Sequence, residues 1–89
     1  MSLEISFPAQ QTVDENDNVR FPVKINGRRA GCKITSEALQ DKFGGRDADS
    51  MKTFKAKRQQ IENCITAMIH NDPDGKIYEI STNQNTVIK

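Results

Sequence analysis

The sequence has little of the chemistry from which most active sites are built. Its 89 residues include one histidine, one tyrosine and two cysteines, and no tryptophan. Catalysis needs a positioned base, nucleophile or metal, and no carboxylate or nucleophile stands at a recognisable spacing from His70. Zinc needs about four ligands at close spacing, and Cys32, Cys64 and His70 form no CxxC or HxxxH pair. We therefore expect no catalytic residue, no metal and no cofactor.

Long apolar runs are also missing, so no segment of this sequence is expected to span a bilayer. The opening MSLEISFPAQ lacks the basic start and apolar centre of a signal peptide. Cys32 and Cys64 fit reduced core thiols better than a disulfide framework, which small secreted domains usually build from four or more cysteines. The predicted location is the cytoplasm, without a membrane partner.

Charge of one sign is not in excess. There are 13 Lys and Arg against 12 Asp and Glu, for a net charge of +1. Leu, Ile, Val and Phe supply only 19 of the 89 residues, but a chain with so little net charge can still fold around a thin core. The length fits one small domain over residues 1–89. Its polar tail, residues 83–89, is expected to fray.

The stretch VRFPVKINGRRAGCKI, residues 19–34, gives the clearest structural signal. Asn26 and Gly27 between two alternating runs predict a β-hairpin, because both tolerate the positive φ of a type I′ turn. That turn fixes the register and separates an apolar face from a polar one. The facing pairs on the polar side are Arg20 with Lys33, Pro22 with Gly31, and Lys24 with Arg29. Because Pro22 cannot donate to a third strand, strand 19–25 is predicted to be unpaired there.

The remaining elements follow from periodicity and from helix start and stop signals. Residues 3–7 alternate as a half-buried strand, and the polar residues 8–18 predict a solvated loop. A short helix (about 36–43), a long helix (about 50–70) and a last strand (76–82) follow, with the buried face of that strand left open. This order predicts an α+β domain: a small antiparallel sheet with a central hairpin, covered on one face by the two helices.

Arg58 lies on the apolar stripe of the predicted long helix. Its aliphatic stem can cover the edge of the core while its charged head is expected to reach water.

With these elements placed, the chain resembles a family of small uncharacterised bacterial proteins, domain of unknown function 1488. The matching features cover most of the chain and consist largely of core and turn positions. They are Phe7-Pro8, Val19, Phe21, Gly27, Cys32, Ile34, Glu37-Ala38-Leu39, Phe43-Gly44, Phe54, Arg58 and Ile61. The resemblance implies an α+β fold in a bacterial protein and brings no catalytic residues with it.

The basic residues are the feature that most favours a function. Nine of the 13 positive charges fall in residues 20–33 and 52–58, and neither stretch contains an acid. The cations of residues 52–58 lie in the first half of the predicted long helix, where the helix dipole disfavours positive charge. An anion bound at the helix start is one explanation for their presence there. The candidate anion-binding or nucleic-acid-binding residues are Arg20, Lys24, Arg29, Lys33, Lys52 and Lys55. The simpler explanation is a solubilising face, with Asp14, Glu15 and Asp17 folding back to neutralise it.

Two functions of different kinds are compatible with these patterns. The first is a small non-enzymatic cytoplasmic module that binds a protein partner or a second copy of itself through the sheet face or edge that the helices leave free. The second is a weak, sequence-tolerant nucleic-acid binder that uses the basic hairpin face. The second is less favoured, because the charge is nearly balanced and the outward hairpin face has no aromatic residue for base stacking.

Overall fold

A computed structural model of the chain describes residues 3–45 and 49–89. The strands of the described residues are β1 (Ile5–Ser6), β2 (Thr12–Val13), β3 (Val19–Ile25), β4 (Arg28–Ile34), β5 (Ile77–Ile80) and β6 (Asn85–Ile88). The helices are α1 (Ser36–Phe43), α2 (Ser50–Ala56) and α3 (Arg58–Asn71). The strands form one sheet in the order β1-β3-β4-β5-β6, and β2 also pairs with β3. The predicted α+β fold is confirmed.

The predicted hairpin is confirmed residue by residue. Asn26 and Gly27 have φ of +52° and +83°, as a type I′ turn requires. β3 and β4 pair in the predicted register, which places Arg20 opposite Lys33 and Lys24 opposite Arg29. The side chain of Asn26 also accepts a hydrogen bond from the backbone N–H of Glu4 at 2.8 Å, which ties the residues before β1 to the turn.

The gap predicted beside Pro22 is present. β1 pairs with β3 at Lys24 and Ile25, and β2 pairs with β3 at Val19 and Arg20. The middle of β3 has no partner on this side, because proline has no N–H to donate. The predicted solvated loop over residues 8–18 is corrected in one respect, since it contains the short strand β2.

The short helix occupies the predicted residues 36–43. The Thr35 side chain accepts a hydrogen bond from the backbone N–H of Ala38, and Gly44 ends the helix in the left-handed conformation with φ of +72°. Asp49 caps α2 in the same way by accepting from the backbone N–H of Lys52.

The predicted long helix over 50–70 is divided into two helices. The break lies at Lys57, whose φ of −111° and ψ of 15° depart from helical values. It gives the two segments different contacts: α2 lies against β2 and β3, whereas α3 lies against β5. A single straight helix could not make both sets of contacts, so the apolar stripe of the predicted long helix changes direction at Lys57.

The sheet is mostly antiparallel, whereas the sequence predicted a sheet that is antiparallel throughout. β5 pairs with β4 in parallel, with Cys32 opposite Tyr78 and Ile34 opposite Ile80. The helical crossover between the two strands carries the chain back to the end of the sheet at which β4 begins, so that β5 runs in the same direction as β4. This pairing settles the face of β5 that the sequence left open: Tyr78 and Ile80 are fully buried.

Residues 85–88 are also more ordered than expected, because they form β6 instead of a frayed tail. β6 pairs with β5, and Val87 lies opposite Tyr78 and packs against the core.

The core lies between the sheet and the helices. Phe21 of β3 contacts Phe54 of α2 with ring centroids 4.9 Å apart. The buried apolar residues form one cluster: Val19, Phe21, Val23, Ile25, Ala30, Cys32, Ile34, Ala38, Leu39, Phe54, Ile61, Ile65, Met68, Ile69, Tyr78 and Ile80. Across residues 3–45 and 49–89, the helices are too short or too polar to cross a membrane.

Candidate interaction surface

The helices cover one face of the sheet and leave the other open; we call the open side the outward face. It follows from strand alternation, because the side chains between the buried positions of β3 and β4 point away from the core. In the registers of the four adjacent strands its residues are Arg20, Pro22, Lys24, Arg29, Gly31, Lys33, Ile77, Glu79, Thr86 and Ile88.

An apolar row crosses the middle of the outward face. Pro22 lies opposite Gly31, Gly31 opposite Ile77, and Ile77 opposite Ile88, so the row spans four strands. Ile88 is 47% exposed, one of two large apolar residues of the described chain that are exposed to this degree. The rest of the row is less accessible, since Gly31 and Ile77 are half-buried and Pro22 is buried. Apolar surface that no helix covers is a feature of interaction surfaces.

The charged row of Arg20 and Lys33 lies beside the apolar row, and its positive charge is partly neutralised. Arg20 forms an ion pair with Asp14 at 3.3 Å, and its side chain is 53% exposed. Lys33 lies opposite Glu79, with Nζ 3.9 Å from the carboxylate. Exposed pairs of this kind contribute little stability, but they lower the local excess of positive charge.

Asp14 is held in place by its own turn. Its carboxylate accepts hydrogen bonds from the backbone N–H groups of Asn16 at 2.9 Å and Asn18 at 3.0 Å. Desolvation alone would raise the pKa of Asp14, but these two hydrogen bonds and the Arg20 guanidinium outweigh it and lower the pKa below its usual value. Of the three acids that the solubilising interpretation named, Asp14 folds back onto the basic face. Glu15 and Asp17 are exposed and form no ion pair within the described residues.

This geometry predicts an acid-dependent loss of stability. Because the folded pKa of Asp14 lies below the unfolded one, its contribution is complete above about pH 4 and disappears as the pH falls through the folded pKa. Asp14→Asn should flatten the decline in thermal midpoint between about pH 4 and pH 2.5, as followed by circular dichroism. Glu15→Gln is the control, and an identical decline in both variants would contradict the assignment.

The second charged row consists of Lys24 and Arg29, and less of its positive charge is neutralised. Arg29 donates a hydrogen bond from Nη2 to the side-chain carbonyl of Gln10 at 3.0 Å, and it forms no ion pair with any of the residues that the structure describes. Lys24, opposite Arg29, is exposed and forms no ion pair within the described part of the chain.

A depression of about 500 Å³ lies between the two charged rows. Gly31 and Pro22 contribute to its floor, and Arg20 and Arg29 line it together with Gln10 of the segment that joins β1 to β2. It forms here because Pro22 leaves no third strand alongside it and because Gly31 has no side chain. A Cβ at Gly31 would meet its nearest atoms at 3.9 Å, an ordinary van der Waals contact, so this position can accept a small side chain without a clash.

The structure does not bring Lys52 and Lys55 together with the four hairpin cations. Both are exposed on α2, and α2 packs through Phe54 onto Phe21, on the opposite face of the sheet. At the start of α2, the Asp49 carboxylate accepts a hydrogen bond from the N–H of Lys52, so this donor is not free for the anion that the sequence suggested there. Arg46, a further cation close to this helix start in the sequence, lies outside the described residues.

His70 and the cysteines lie apart from the outward face. His70 is exposed in the last turn of α3. Cys32 is buried, and desolvation raises the pKa of its thiol to about 12; Cys64 is partly buried, and both are free thiols. Within residues 3–45 and 49–89, no three His, Cys, Asp or Glu side chains are close enough together to hold a metal ion.

The residues of β5 and β6 that complete this surface were not predicted from the sequence. Ile77 and Glu79 join the outward face only because β5 pairs with β4, which are more than forty positions apart in the chain. A signal was present in the period-two pattern of KIYEIST, but the pattern alone did not say which half faces outward.

The molecule is thus a small α+β domain with helices on one face of its sheet and a partly basic open face. The chain matches the family described as "Protein of unknown function (DUF1488)" over residues 5–81, and it belongs to that family. The comparison with curated proteins and the comparison with solved structures found no match. The last strand, β6, contains Ile88 at the end of the apolar row, and it lies beyond the matched residues.

Proposed function

We propose that this protein is a non-enzymatic binding module of the bacterial cytoplasm and that the outward face contacts a protein partner. One observation carries the proposal: the helices of the described chain pack on one face of the sheet, so no helix covers the apolar row on the other face. In that row Ile88 is exposed and Gly31 and Ile77 are half-buried, and charged residues of β3 and β4 lie on both sides of Pro22 and Gly31. Protein interfaces combine a central apolar patch with a polar rim in the same way.

The distribution of charge favours a protein partner over nucleic acid. Asp14 and Glu79 each reduce the positive charge of one row, and a continuous phosphate backbone would meet both acids. The residues that β3, β4, β5 and β6 present outward include no aromatic ring for stacking on bases. The nucleic-acid alternative retains Arg20, Lys24, Arg29 and Lys33 as its binding residues.

Affinity capture from a nuclease-treated extract of the source cells tests the proposal. The chain should retain a defined set of proteins, and Arg29→Glu and Ile88→Asp should each reduce their recovery by at least about tenfold, since both place an unpaired charge in the contact. Lys55→Glu is the matched control, with the same change of charge on the helical side. It should recover the same proteins as the unmodified chain.

Two results would overturn the proposal. One is recovery that Lys55→Glu abolishes and Arg29→Glu leaves intact, which would place the contact on the helices. The other is recovery of nothing after nuclease treatment but of nucleic acid without it, with a steep loss of binding as salt rises. In that case the double variant Lys24→Glu and Arg29→Glu should abolish nucleic-acid binding.

A further inference from the structure

We propose that the depression over Gly31 binds an extended acidic segment of the partner, with side chains in the order acid, apolar, acid at alternate positions. This inference rests on the proposed function and adds the chemistry of the bound segment. It follows from how the sheet places two cation pairs on either side of an apolar floor.

The spacing comes from the strands themselves. Arg20 with Lys33 forms one cross-strand pair, and Lys24 with Arg29 forms the other, with Pro22 and Gly31 between them. The two pairs are four residues apart along the hairpin, which is about 13 Å at the rise of a β-strand. An extended peptide lying along the hairpin covers this distance in about four residues. It therefore presents positions i, i+2 and i+4 to the surface on one side.

The floor suits an apolar side chain at the middle position. Pro22 is buried, Gly31 has no side chain and has room for an added Cβ at van der Waals distance, and Ile77 borders the same depression. A leucine-sized side chain seated there would cover the remaining exposed apolar surface of Gly31 and Ile77, both of which are half-buried. Carboxylates at i and i+4 would then reach the two cation pairs.

The two ends of the depression are available to different degrees. Arg29 is hydrogen-bonded to the neutral Gln10 side chain, so an incoming carboxylate adds charge pairing that residues 3–45 and 49–89 do not give it. Arg20 is already paired with Asp14, so a carboxylate must compete there. Removing the charge of Asp14 should therefore strengthen binding, whereas reversing the charge of Arg29 should weaken it.

Titration of capped pentapeptides, followed by backbone amide NMR shifts, tests the inference. Glu-Ser-Leu-Ser-Glu should bind and shift the amides around Gly31 and Ile77. The isomer Glu-Glu-Leu-Ser-Ser has the same composition and the wrong spacing, and it should bind at least about fivefold more weakly. Lys-Ser-Leu-Ser-Lys should not bind, because both cation pairs would repel it.

Variants of the protein separate shape from charge. Gly31→Val fills the depression without changing any charge, and its backbone conformation is accessible to every residue, so it should fold and bind at least about tenfold more weakly. Gly31→Ala fills less of the space and should give an intermediate loss. Arg29→Glu should also weaken binding at least tenfold, Asp14→Asn should strengthen it severalfold, and Lys55→Glu should leave it unchanged. Far-ultraviolet circular dichroism confirms that each variant is folded.

Three outcomes would overturn the inference: no shift at Gly31 or Ile77 at millimolar peptide, equal binding of the two acidic isomers, or unchanged binding to Gly31→Val. Tighter, spacing-independent binding of a single-stranded oligonucleotide over the same residues would overturn it in favour of nucleic acid. If the peptides fail while Arg29→Glu and Ile88→Asp still abolish capture of proteins, the proposed function stands and only the acidic segment is wrong.

Discussion

Replacing Gly75 with alanine should destabilise the protein by about 3 kcal/mol, the upper end of the usual cost of overpacking. An added Cβ would lie 2.5 Å from Cγ1 of Val87 and 2.7 Å from Cζ of Tyr78. Val87 lies on an edge strand and can shift, but Tyr78 is fully buried and cannot. Its hydroxyl donates to the carbonyl of Asp72 at 2.7 Å and accepts from the N–H of Gly75 at 3.1 Å.

Chemical denaturation measured by tyrosine fluorescence or circular dichroism gives the free energy of unfolding for this variant. Gly31→Ala is the matched control, because the same substitution there meets nothing nearer than 3.9 Å. Its stability should stay within about 0.5 kcal/mol or rise slightly, since glycine is disfavoured inside a strand. Equal stabilities for the two variants would show that the turn before β5 is loosely packed, contrary to the geometry.

Arg58→Ala should cost about 2–4 kcal/mol, because it removes several hydrogen bonds made by one charged group. The guanidinium donates to Glu62 at 2.6 Å, to the side chain of Gln11 at 3.0 Å and to the carbonyl of Phe7 at 3.3 Å. It also lies 5.7 Å from the centre of the Phe54 ring. These contacts fasten the segment beside Pro22, where β3 offers no backbone hydrogen bond.

Arg58→Lys separates geometry from charge. Lysine keeps the charge but not the planar fork that reaches three acceptors, so it should recover less than half of the lost stability. Gln60→Ala, an exposed change on the same helix, should be nearly neutral at within about 0.5 kcal/mol. A neutral Arg58→Ala would mean that the segment joining β1 and β2 is held by other contacts.

The hairpin and the short helix were predictable because their signals are local. Asn26 and Gly27 set a turn, the turn sets a register, and the register decides which side chains are buried. Thr35 and Gly44 mark the two ends of a helix with cap chemistry that acts within a few residues. The gap at Pro22 follows from a missing N–H, which is a property of that residue alone.

The features that escaped prediction depend on distant pairings. The parallel contact of β4 with β5 joins residues separated by the three helices, and no local pattern encodes it. The break at Lys57 has the same origin, because it reflects where the two helical segments pack on the sheet. Arg58 was expected to reach water, yet its partners Gln11 and Phe7 are 47 and 51 positions away.

The candidate surface was predicted in part. The four hairpin cations share one face, as the register required, whereas Lys52 and Lys55 lie with α2 on the other side. The apolar row through Ile77 and Ile88 was not foreseen, because it exists only once β5 and β6 have joined the sheet. This row changes the interpretation of the cations from a basic patch to the rim of an apolar depression.

Hydrogen exchange of the chain, measured with and without a purified captured partner, tests the role of the outward face most directly. If that face is the interaction surface, the partner should slow exchange in β3, β4 and β5 around Gly31 and Ile77, and α1 and α3 should exchange as in the free protein. Protection confined to the helices, with the strands unchanged, would contradict it.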